Sequence, residues 1–461
     1  MADNSLLNSR FSMYDLIARK RDGGCLQTEE ISFWLRGMLD GSVPDYQTAA
    51  MLMAIFWRGL NEAETFALTE EIVASGEQLD LSGIEGVTAD KHSTGGVGDK
   101  TTLIAMPLAA ACGLKIAKMS GRSLGKTGGT ADKLAAVPGF KLDLTEAELL
   151  AQVADIGLAV VAQNKNLTPA DKRLYALRDM TATVDSLPLI AASVMSKKIA
   201  AGAGVIVLDV KYGSGAFMPD AASAVELARL MVKLGRSAGR RVTAVISAMA
   251  SPLGAAVGNA LEVAEAAEIL QSGQAVRGNE VSADLRRLSV VLAGELLYLG
   301  GLAADRAVGW QQAEAALANG LGWQRLLQFL QAQGGDVSAL QAGQLVQAEF
   351  VLPVLAASSG YLAAADAARV AEIVQFLGAG RERLEDEIDY QVGVRFKQPA
   401  GAWVEAGDVL AEIYASSLLR AETAARDLQG ILSVLPEPPQ IEPLIWGLVD
   451  EQGQVLPWAE L

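Results

Sequence analysis

Short runs of β-branched and apolar residues alternate with longer stretches rich in alanine and leucine between about Gly83 and Gln271, and this alternation limits the possible folds most strongly. The predicted strands cover residues 86–89, 114–119, 158–161, 205–210 and 242–246. The predicted helices of the same region include residues 101–111, 145–156, 221–238 and 260–271. Such alternation predicts a mostly parallel sheet with helices on its faces. Ligands of such sheets bind at the carboxyl ends of the strands, so we expect functional residues there.

The chain on either side of this region has a different pattern. Residues 1–80 show helical spacing without strand alternation, and Asn61 followed by Glu64 matches the capping box that opens a helix. From about Leu345 the pattern changes again, and residues 389–415 are typical of short strands and turns. We therefore predict an α/β fold in three parts: a small all-helical domain, a larger mostly parallel α/β-sheet domain and a C-terminal β-rich domain of the barrel-sandwich type.

The composition excludes several classes of partner. Among the 461 residues, 38 are Lys or Arg and 54 are Asp or Glu, which gives a net charge of −16. Because so acidic a surface repels phosphate backbones, we expect no nucleic-acid polymer as a partner. The first residues lack a signal-peptide pattern, and no apolar run reaches the roughly 20 residues that span a bilayer, so we expect no membrane association. Two cysteines and one histidine are too few for a disulfide framework or a zinc site, and they suit a cytoplasmic protein.

The first candidate site is a glycine-rich loop that follows the predicted strand at 86–89. Its sequence is DKHSTGGVGDKTT, residues 90–102, and it leads into a predicted helix. Glycines allow backbone amides to approach an anion closely, and the start of a helix adds further donors. Lys91, Ser93 and Thr102 add charge and hydroxyl groups, whereas the Gly-Lys-Ser/Thr order of a Walker loop is absent. An ordinary glycine-rich turn is the alternative interpretation.

A second loop of the same kind, SGRSLGKTGGTADK at residues 120–133, follows the predicted strand at 114–119. Two loops rich in glycine, hydroxyl groups and lysine at successive strand ends can converge on one phosphate-sized anion. The pair therefore predicts a phosphate site at the carboxyl ends of these strands. The glycine-rich stretch 209–217 ends another predicted strand, and it is either a third loop over the same edge or a simple strand–helix turn.

A cationic cluster is the third candidate. Ser193 and Lys197 lie four residues apart on a predicted helix and so share one face, and Arg178 lies a short distance upstream. A hydroxyl, an ammonium and a guanidinium together suit a planar polar ring as ligand, although a solvated helix face has the same spacing. His92, the one histidine of the chain, lies inside the first loop and can donate or accept a hydrogen bond near neutral pH.

The stretch GAWVEAGDVLAEIYA, residues 401–415, is similar to a lipoyl or biotinyl carrier. However, no lysine stands at the hairpin tip to which such a cofactor would be attached. We therefore predict a structural role for this part of the chain and no organic cofactor.

Five motifs occur in order along the chain: KHSTGGVGDK, SGRSLGKTGGTADKL, LYALRDMTATVDSLPLIAASVMSKK, DVKYGSGAFM and GNALEV. Together they closely resemble the pyrimidine nucleoside phosphorylase and thymidine phosphorylase family, over about residues 14–415. The resemblance implies a homodimer whose subunits hold their substrates in a cleft between the helical and the α/β domain. It also implies that a helical segment returns from the sheet to the small domain. The predicted domains are then residues 1–80 with about 164–200, residues 81–163 with 201–340, and residues 345–461.

The resemblance also implies roles for individual residues. The implied phosphate ligands are Lys91, Ser93, Thr102, Ser120 and Thr130. The implied contacts to the pyrimidine nucleoside are His92, Lys118, Arg178, Ser193 and Lys197. The expected catalytic residues among them are His92, Arg178 and Lys197. The resemblance further implies a potassium-like ion near the first loop, with the ligands Gly95, Val97 and Glu262.

The implied reaction is the reversible phosphorolysis of uridine, thymidine or deoxyuridine to a free pyrimidine and ribose or deoxyribose 1-phosphate. Lys118 matches the lysine that is usual in relatives of broad specificity, whereas thymidine-restricted bacterial relatives tend to have methionine there. The chain departs from the family pattern at Ser123, Lys126, Ala135 and Tyr212, which leaves its substrate preference open. A thymidine-restricted phosphorylase, an anthranilate-type phosphoribosyltransferase and a non-catalytic nucleoside-binding protein are the alternatives.

Overall fold

The computed structural model describes residues 11–121, 128–162, 166–273, 280–381, 383 and 386–460, so that Ser123 and Lys126 lie outside the described residues. The strands are β1 (Thr88–Ser93), β2 (Lys115–Ser120), β3 (Leu158–Ala162), β4 (Val205–Tyr212), β5 (Arg241–Ala248), β6 (Ala256–Val257), β7 (Phe350–Leu355), β8 (Gly360–Leu362), β9 (Gly393–Phe396), β10 (Trp403–Val404), β11 (Val409–Ala415), β12 (Val434–Leu435), β13 (Ile445–Val449) and β14 (Val455–Pro457). The helices are α1 (Met13–Arg21), α2 (Thr28–Asp40), α3 (Asp45–Arg58), α4 (Glu62–Ala74), α5 (Thr101–Ala111), α6 (Thr130–Ala135), α7 (Glu146–Ile156), α8 (Pro169–Met180), α9 (Leu187–Ala200), α10 (Ala221–Ser237), α11 (Asn259–Ser272), α12 (Ala283–Leu299), α13 (Arg306–Ala318), α14 (Leu321–Ala332), α15 (Ser338–Gln341), α16 (Ala367–Leu377) and α17 (Leu418–Ile431). None of the helices described is both long and apolar enough to span a bilayer.

A seven-stranded sheet forms the centre of the described part of the chain. Its order is β14-β13-β5-β4-β1-β2-β3, in which β1 to β5 pair in parallel and the last two strands are antiparallel. In β4, Val205 and Val207 pack in the core that contains α5 and α12, while Ile206 and Leu208 pack in the core that contains α10. Because successive side chains of a strand point to opposite faces, helices cover both faces of the sheet. The predicted parallel strands all form, which confirms the α/β class.

Strand β1 extends further than its sequence pattern predicts. The prediction ended at Ala89, whereas the strand continues through Asp90, Lys91 and His92 to Ser93. Asp90 and Lys91 are only 0% and 1% exposed. Charged side chains are seldom buried unless they are paired, and both of these are paired with groups on other elements. Residues 90–93 of the predicted loop therefore belong to the sheet, at the carboxyl end of β1.

Helices α1 to α4 share a separate apolar core with α8 and α9. Its buried side chains include Trp34 of α2, Leu174 of α8 and Leu189 of α9. The predicted capping box is confirmed, since Glu64 N–H donates to the Asn61 side chain at 2.9 Å and Asn61 N–H donates to Glu64 at 2.8 Å. Because α8 and α9 lie between β3 and β4 in the chain, the backbone leaves the sheet for this helical unit and returns.

Two antiparallel sheets form the carboxyl-terminal part together with α16 and α17, which confirms its β-rich character. Their strand orders are β6-β9-β11-β7 and β10-β8-β12. Strand β6 comes from the chain between β5 and α11, so the first of these sheets includes a strand from the central region. Conversely, β13 pairs with β5, so residues 445–457 complete the central sheet. The predicted domain ranges stay a prediction.

Candidate active site

The carboxyl ends of β1 and β2 and the helices that follow them form one polar edge of the sheet. The last three residues of β1 are Lys91, His92 and Ser93. Ser93 pairs in register with Asp209 of β4, and Ser120 is the last residue of β2. The loop after β1 leads into α5 at Thr101, and the loop after β2 leads into α6 at Thr130. Both predicted glycine-rich loops therefore begin at the same edge.

Lys91 is held at the base of the first loop by groups from three elements. Its Nζ donates to Thr101 Oγ1 at 2.6 Å and lies 3.7 Å from Asp209 Oδ2 and 4.0 Å from Asp99 Oδ1. The Thr101 hydroxyl in turn donates to Asp99 at 2.6 Å. Burial lowers the pKa of Lys91, and the neighbouring carboxylates offset this only in part. The ammonium therefore has a fixed position, with its charge balanced by two carboxylates that sequence analysis did not single out.

The two loops meet through Lys133 of α6. Its Nζ donates to the backbone carbonyl of Asp99, in the first loop, at 2.7 Å. The start of α6 is fixed by Asp132, whose carboxylate accepts a hydrogen bond from Gly129 N–H at 3.0 Å. The end of the second loop thus lies against the first loop, as one shared anion site requires. Residues 122–127 of the second loop lie outside the described part of the chain.

The predicted phosphate ligands all lie at this edge. Ser93 and Ser120 are half-buried at the ends of β1 and β2, and Thr130 is half-buried at the start of α6. Thr102 is buried in the first turn of α5. The first turn of a helix has backbone N–H groups without helical partners, and these favour a bound anion. The arrangement suits a phosphate ion, while the role of each ligand stays a prediction.

His92 lies where the phosphate edge approaches the cationic helix. It is half-buried, and four lysines, Lys198, Lys118, Lys197 and Lys91, are near enough for their charges to act on it. Burial and these positive charges hold the pKa of His92 well below its usual 6.5. The imidazole is therefore neutral at neutral pH, with one N–H donor and one acceptor nitrogen.

A buried carboxylate fixes two of these lysines. Asp90 lies 3.3 Å from Lys118 Nζ and 2.7 Å from Lys198 Nζ, and Lys118 also donates to the backbone carbonyl of Lys91. Burial lowers the pKa of Lys118 to about 7, although the Asp90 charge opposes this. Because Lys198 comes from α9, the pair ties the helical unit to the edge of the sheet. Sequence analysis did not identify Asp90 or Lys198 as residues of the site. The available signal was the charge of Asp90 directly after a predicted buried strand, because a buried charge needs a partner of opposite charge.

Arg178 is buried at the carboxyl end of α8, with only 2% of its surface exposed. Its guanidinium donates to the backbone carbonyls of Thr183, Val184 and Leu189 at 3.3, 2.6 and 3.1 Å. Burial lowers the pKa of Arg178, yet a guanidinium stays charged at neutral pH. The three bonds use three of its five N–H groups. They orient the guanidinium and leave two donors for a ligand.

Lys197 and Arg178 both lie near the ring of Tyr175, on α8. The centroid of this ring is 5.7 Å from Arg178 Cζ and 5.8 Å from Lys197 Nζ. Lys197 Nζ donates to Ser193 Oγ at 3.1 Å and pairs with Asp171 at 2.7 Å. Because Ser193 and Arg178 are buried, the alternative of a solvated helix face is wrong. Tyr175 and Asp171 were not predicted, although their spacing of four residues places them on one face of α8.

The residues predicted to hold a potassium-like ion do not fit one. Gly95 and Val97 lie in the first loop, but the Glu262 carboxylate is 2.7 Å from Lys133 Nζ and accepts a hydrogen bond from Gly258 N–H at 3.2 Å. Since Lys133 already neutralises Glu262, this carboxylate is not available to a cation. Within the described ranges, no group of three or more His, Cys, Asp or Glu is arranged to hold a metal ion.

Three family models match the chain. They are the helical bundle domain of a glycosyl transferase family at residues 14–76, the a/b domain of that family at 85–322, and the pyrimidine nucleoside phosphorylase C-terminal domain at 361–434. The pyrimidine-nucleoside phosphorylase of Geobacillus stearothermophilus is 49% identical over 405 residues, which are 88% of this chain and 92% of the relative. The chain belongs to the pyrimidine-nucleoside phosphorylase family.

Other members of the family show similar identity. The pyrimidine-nucleoside phosphorylases of Bacillus subtilis (strain 168) and Staphylococcus haemolyticus (strain JCSC1435) are 47% and 46% identical. Each match covers 88% of this chain and 92% of the relative. These relatives confirm the resemblance and place the chain among the pentosyltransferases.

A solved structure is similar in fold. Anthranilate phosphoribosyltransferase of Thermus thermophilus matches with a TM-score of 0.56 and 20% identity, over 69% of this chain and 99% of that one. At this identity the likeness shows the fold alone, and it supports the pairing of a helical bundle with an α/β sheet. It does not favour a phosphoribosyltransferase reaction over phosphorolysis.

Proposed function

We propose that this chain catalyses the reversible phosphorolysis of pyrimidine nucleosides, converting uridine, thymidine or deoxyuridine and phosphate to the free base and ribose or deoxyribose 1-phosphate. The observation that carries the proposal is the contact between the two halves of the site around His92: Lys198 Nζ, from the helix that carries Lys197, lies 2.7 Å from Asp90, which adjoins Lys91 in β1. A nucleoside seated against His92 has its base toward the helix and its sugar toward the phosphate. Relatives named pyrimidine-nucleoside phosphorylase support the same reaction.

The proposed reaction needs little from the protein beyond binding and charge stabilisation. The bond between the sugar C1′ and the ring N1 breaks, and its electron pair goes to the pyrimidine, which takes up the proton that hydrogen phosphate loses. A phosphate oxygen forms the new bond to C1′. The sugar carbon passes through an oxocarbenium-like state, as in glycoside hydrolysis. Since the phosphate oxyanion is itself the nucleophile, the reaction does not need a catalytic carboxylate.

The phosphate half of the proposed site is the edge formed by β1, β2, α5 and α6. Lys91 supplies a positive charge at its base, fixed by Thr101 at 2.6 Å. The hydroxyl groups of Ser93, Ser120 and Thr130 and the first turn of α5 supply hydrogen-bond donors. Phosphate held in this way places negative charge beside the cationic sugar carbon of the transition state.

The base half of the proposed site is the cluster on α8 and α9. As the glycosidic bond breaks, negative charge develops on the pyrimidine ring and its oxygens. Arg178 has two N–H groups not used by backbone carbonyls. Lys197 is a second cation, and both cations lie within 6 Å of the Tyr175 ring, Lys197 Nζ at 5.8 Å. His92, which is neutral, donates one hydrogen bond to a ring carbonyl. Donors fixed before the reaction stabilise such charge without reorganising.

The neutral state of His92 gives a testable expectation. Replacement of His92 by alanine is expected to lower kcat about a hundredfold, because a donor to the developing charge is lost. His92→Gln, which keeps a neutral N–H donor, should stay within about tenfold of the parent enzyme. Initial rates for both variants between pH 6 and pH 8 measure this. Equal losses in the two variants, or an ionisation in the pH profile of the parent enzyme that His92→Gln lacks, would contradict a neutral donor.

Lys118 leads us to expect broad substrate specificity. The kcat/KM values for uridine and thymidine should differ by less than about a hundredfold, which corresponds to about 2.7 kcal/mol. Lys118→Met introduces the residue that is usual in thymidine-restricted relatives, and we expect it to shift the ratio about tenfold toward thymidine. Steady-state rates of the parent enzyme and of Lys118→Met with both nucleosides measure this ratio. A larger preference in the parent enzyme, or a Met variant with an unchanged ratio, would remove Lys118 as the determinant.

The same assay separates the proposed function from its alternatives. Release of uracil that requires phosphate and persists in EDTA supports phosphorolysis. A requirement for Mg²⁺ together with an activated ribose pyrophosphate would indicate a phosphoribosyltransferase. Nucleoside binding without release of base would indicate a non-catalytic protein.

We also propose that the enzyme is a cytoplasmic homodimer. A groove between α1 and α3 is lined by Ile17, Met53 and Trp57, and the Trp57 side chain is 76% exposed. Tyr14 and Tyr46, on the same two helices, are 74% and 75% exposed. Contiguous exposed apolar side chains of this kind mark protein interfaces, and a second copy of the chain would cover them.

A further inference from the structure

Lys100 is a buried cation directly beneath the first glycine-rich loop. It is 1% exposed and immediately precedes α5. Its Nζ donates to the backbone carbonyls of Leu253 at 3.0 Å and Ala256 at 2.6 Å, and to Glu265 Oε2 at 2.6 Å. A lysine ammonium has three N–H donors, so these three oxygens satisfy it completely.

Glu265, the carboxylate in this group of oxygens, is stabilised in its charged form. Glu265 accepts hydrogen bonds from Ala255 N–H at 2.6 Å, from Ala256 N–H at 2.8 Å and from Ser282 Oγ at 2.6 Å. Burial alone would raise the pKa of Glu265, but the Lys100 charge and these hydrogen bonds lower it. The group therefore consists of one anionic oxygen and two carbonyl oxygens around a single positive charge. Carbonyl oxygens that replace a hydration shell are the ligands by which proteins bind potassium.

The oxygen group is in direct contact with the first loop. A Cβ atom on Gly98 would lie 2.7 Å from the Leu253 carbonyl oxygen and 3.1 Å from that of Ala256, so the loop backbone packs against two of the ligands of Lys100. On its other side Lys100 precedes Thr101, which accepts the hydrogen bond from Lys91 Nζ at 2.6 Å. The buried cation thus sets the position of the loop segment that holds Lys91.

We propose that the Lys100 ammonium takes the place of a bound monovalent cation beneath the phosphate loop, so that this enzyme needs no potassium ion. The proposal rests on the proposed function, because it makes Lys100 a positioning residue that acts on phosphate through Thr101 and Lys91. It differs from the ion expected at Gly95, Val97 and Glu262. Glu262 is neutralised by Lys133 and Glu265 by Lys100, so each of the two carboxylates already has a lysine in place of a metal.

The first test uses the parent enzyme. After exchange from potassium chloride into tetramethylammonium chloride of equal ionic strength, its KM for phosphate and its thermal midpoint are expected to be unchanged. Loss of phosphate affinity or of thermal stability on removal of potassium would overturn the proposal, because a tethered ammonium cannot be exchanged. This arm requires no variant and therefore decides the question even if the variants do not fold.

The second test removes the Lys100 ammonium, so that free ions can bind to the oxygen group. In tetramethylammonium chloride, Lys100→Ala should raise the KM for phosphate at least about tenfold, as removal of a supporting group usually does. Potassium or ammonium chloride should restore the KM and raise the thermal midpoint of this variant with increasing concentration. Lys100→Met is the matched control, because its side chain fills the same space without a charge and leaves no room for an ion. It should show the loss without the rescue.

The outcomes separate this proposal from the proposed function. A Lys100→Ala variant whose thermal midpoint does not respond to potassium, or a Lys100→Met variant rescued equally well, would contradict cation replacement. The thermal readout does not depend on turnover. A parent enzyme that releases no base, with a Lys100→Ala variant stabilised by potassium, would instead contradict phosphorolysis and support the replacement.

Discussion

Lys91→Met is expected to lower kcat/KM for phosphate by about three orders of magnitude, or about 4 kcal/mol. The substitution removes a buried positive charge at the base of the first loop while Asp99 and Asp209 remain, 4.0 and 3.7 Å from its former position. Those carboxylates would then repel the phosphate that Lys91 attracts. Initial rates against phosphate concentration at saturating uridine measure the effect.

The chain offers a matched control for this result. Lys211 is also buried and lies 2.9 Å from Asp209, but its Nζ donates to Ser247 instead of to Thr101 at the start of α5. Lys211→Met should reduce thermal stability and change the KM for phosphate by no more than about tenfold. Equal losses of phosphate affinity in the Lys91 and Lys211 variants would show that the charge of the region matters and the position of Lys91 does not.

Arg178→Met is expected to lower kcat about a thousandfold, which is about 4 kcal/mol, while the KM for phosphate changes little. The guanidinium is placed to meet charge that develops only as the base departs, so its loss affects the transition state more than the bound substrates. Because it also donates to the backbone carbonyls of Thr183, Val184 and Leu189, the variant should be less stable as well. Single-turnover rates at saturating substrates separate the two effects.

Arg173 provides the control on the same helix. It pairs with Asp45 at 2.8 Å, where the two side chains are 35% and 58% exposed, and it also donates to the backbone carbonyl of Met38. Arg173→Met should retain kcat within about threefold, since exposed ion pairs contribute little. An Arg178 variant that raised the KM for phosphate with kcat unchanged would contradict this prediction, because it would place the guanidinium in the phosphate half of the site.

Local sequence patterns predicted much of the fold because their causes are local. The five parallel strands follow from apolar runs, and the start of α4 follows from reciprocal hydrogen bonds between Asn61 and Glu64. The glycine-rich loops after β1 and β2 follow from the close approach that glycine allows. In each case the residues that determine the structure are within a few positions of one another.

The pairing of charges at the site could not be predicted in this way. Asp90 binds Lys198 across 108 positions of the sequence, and Lys100 binds Glu265 across 165. Periodicity within one element contains no information about which distant element neutralises a buried charge. For the same reason, β1 was predicted to end before Asp90, and Lys100 was not distinguished from the other lysines of its loop.

The pairing of β13 with β5 also could not be predicted from local sequence patterns. Strand β13 returns to lie beside β5, although the chain between them contains all seven strands of the two carboxyl-terminal sheets. Edge pairing of this kind is decided by which hydrogen-bonding groups remain open once the rest has folded. The passage of α8 and α9 through the helical unit came from family resemblance, because helical spacing alone does not show which core a helix joins.

Transfer of labelled phosphate tests the central claim most directly. The parent enzyme is incubated with uridine and ³²P-labelled inorganic phosphate in EDTA, and the sugar product is isolated. If one phosphate ion is held at the edge of the sheet and attacks the sugar carbon, the label appears in ribose 1-phosphate in equal amount to the uracil released. Uracil released together with unlabelled free ribose, or label that remains wholly in inorganic phosphate, would contradict this account.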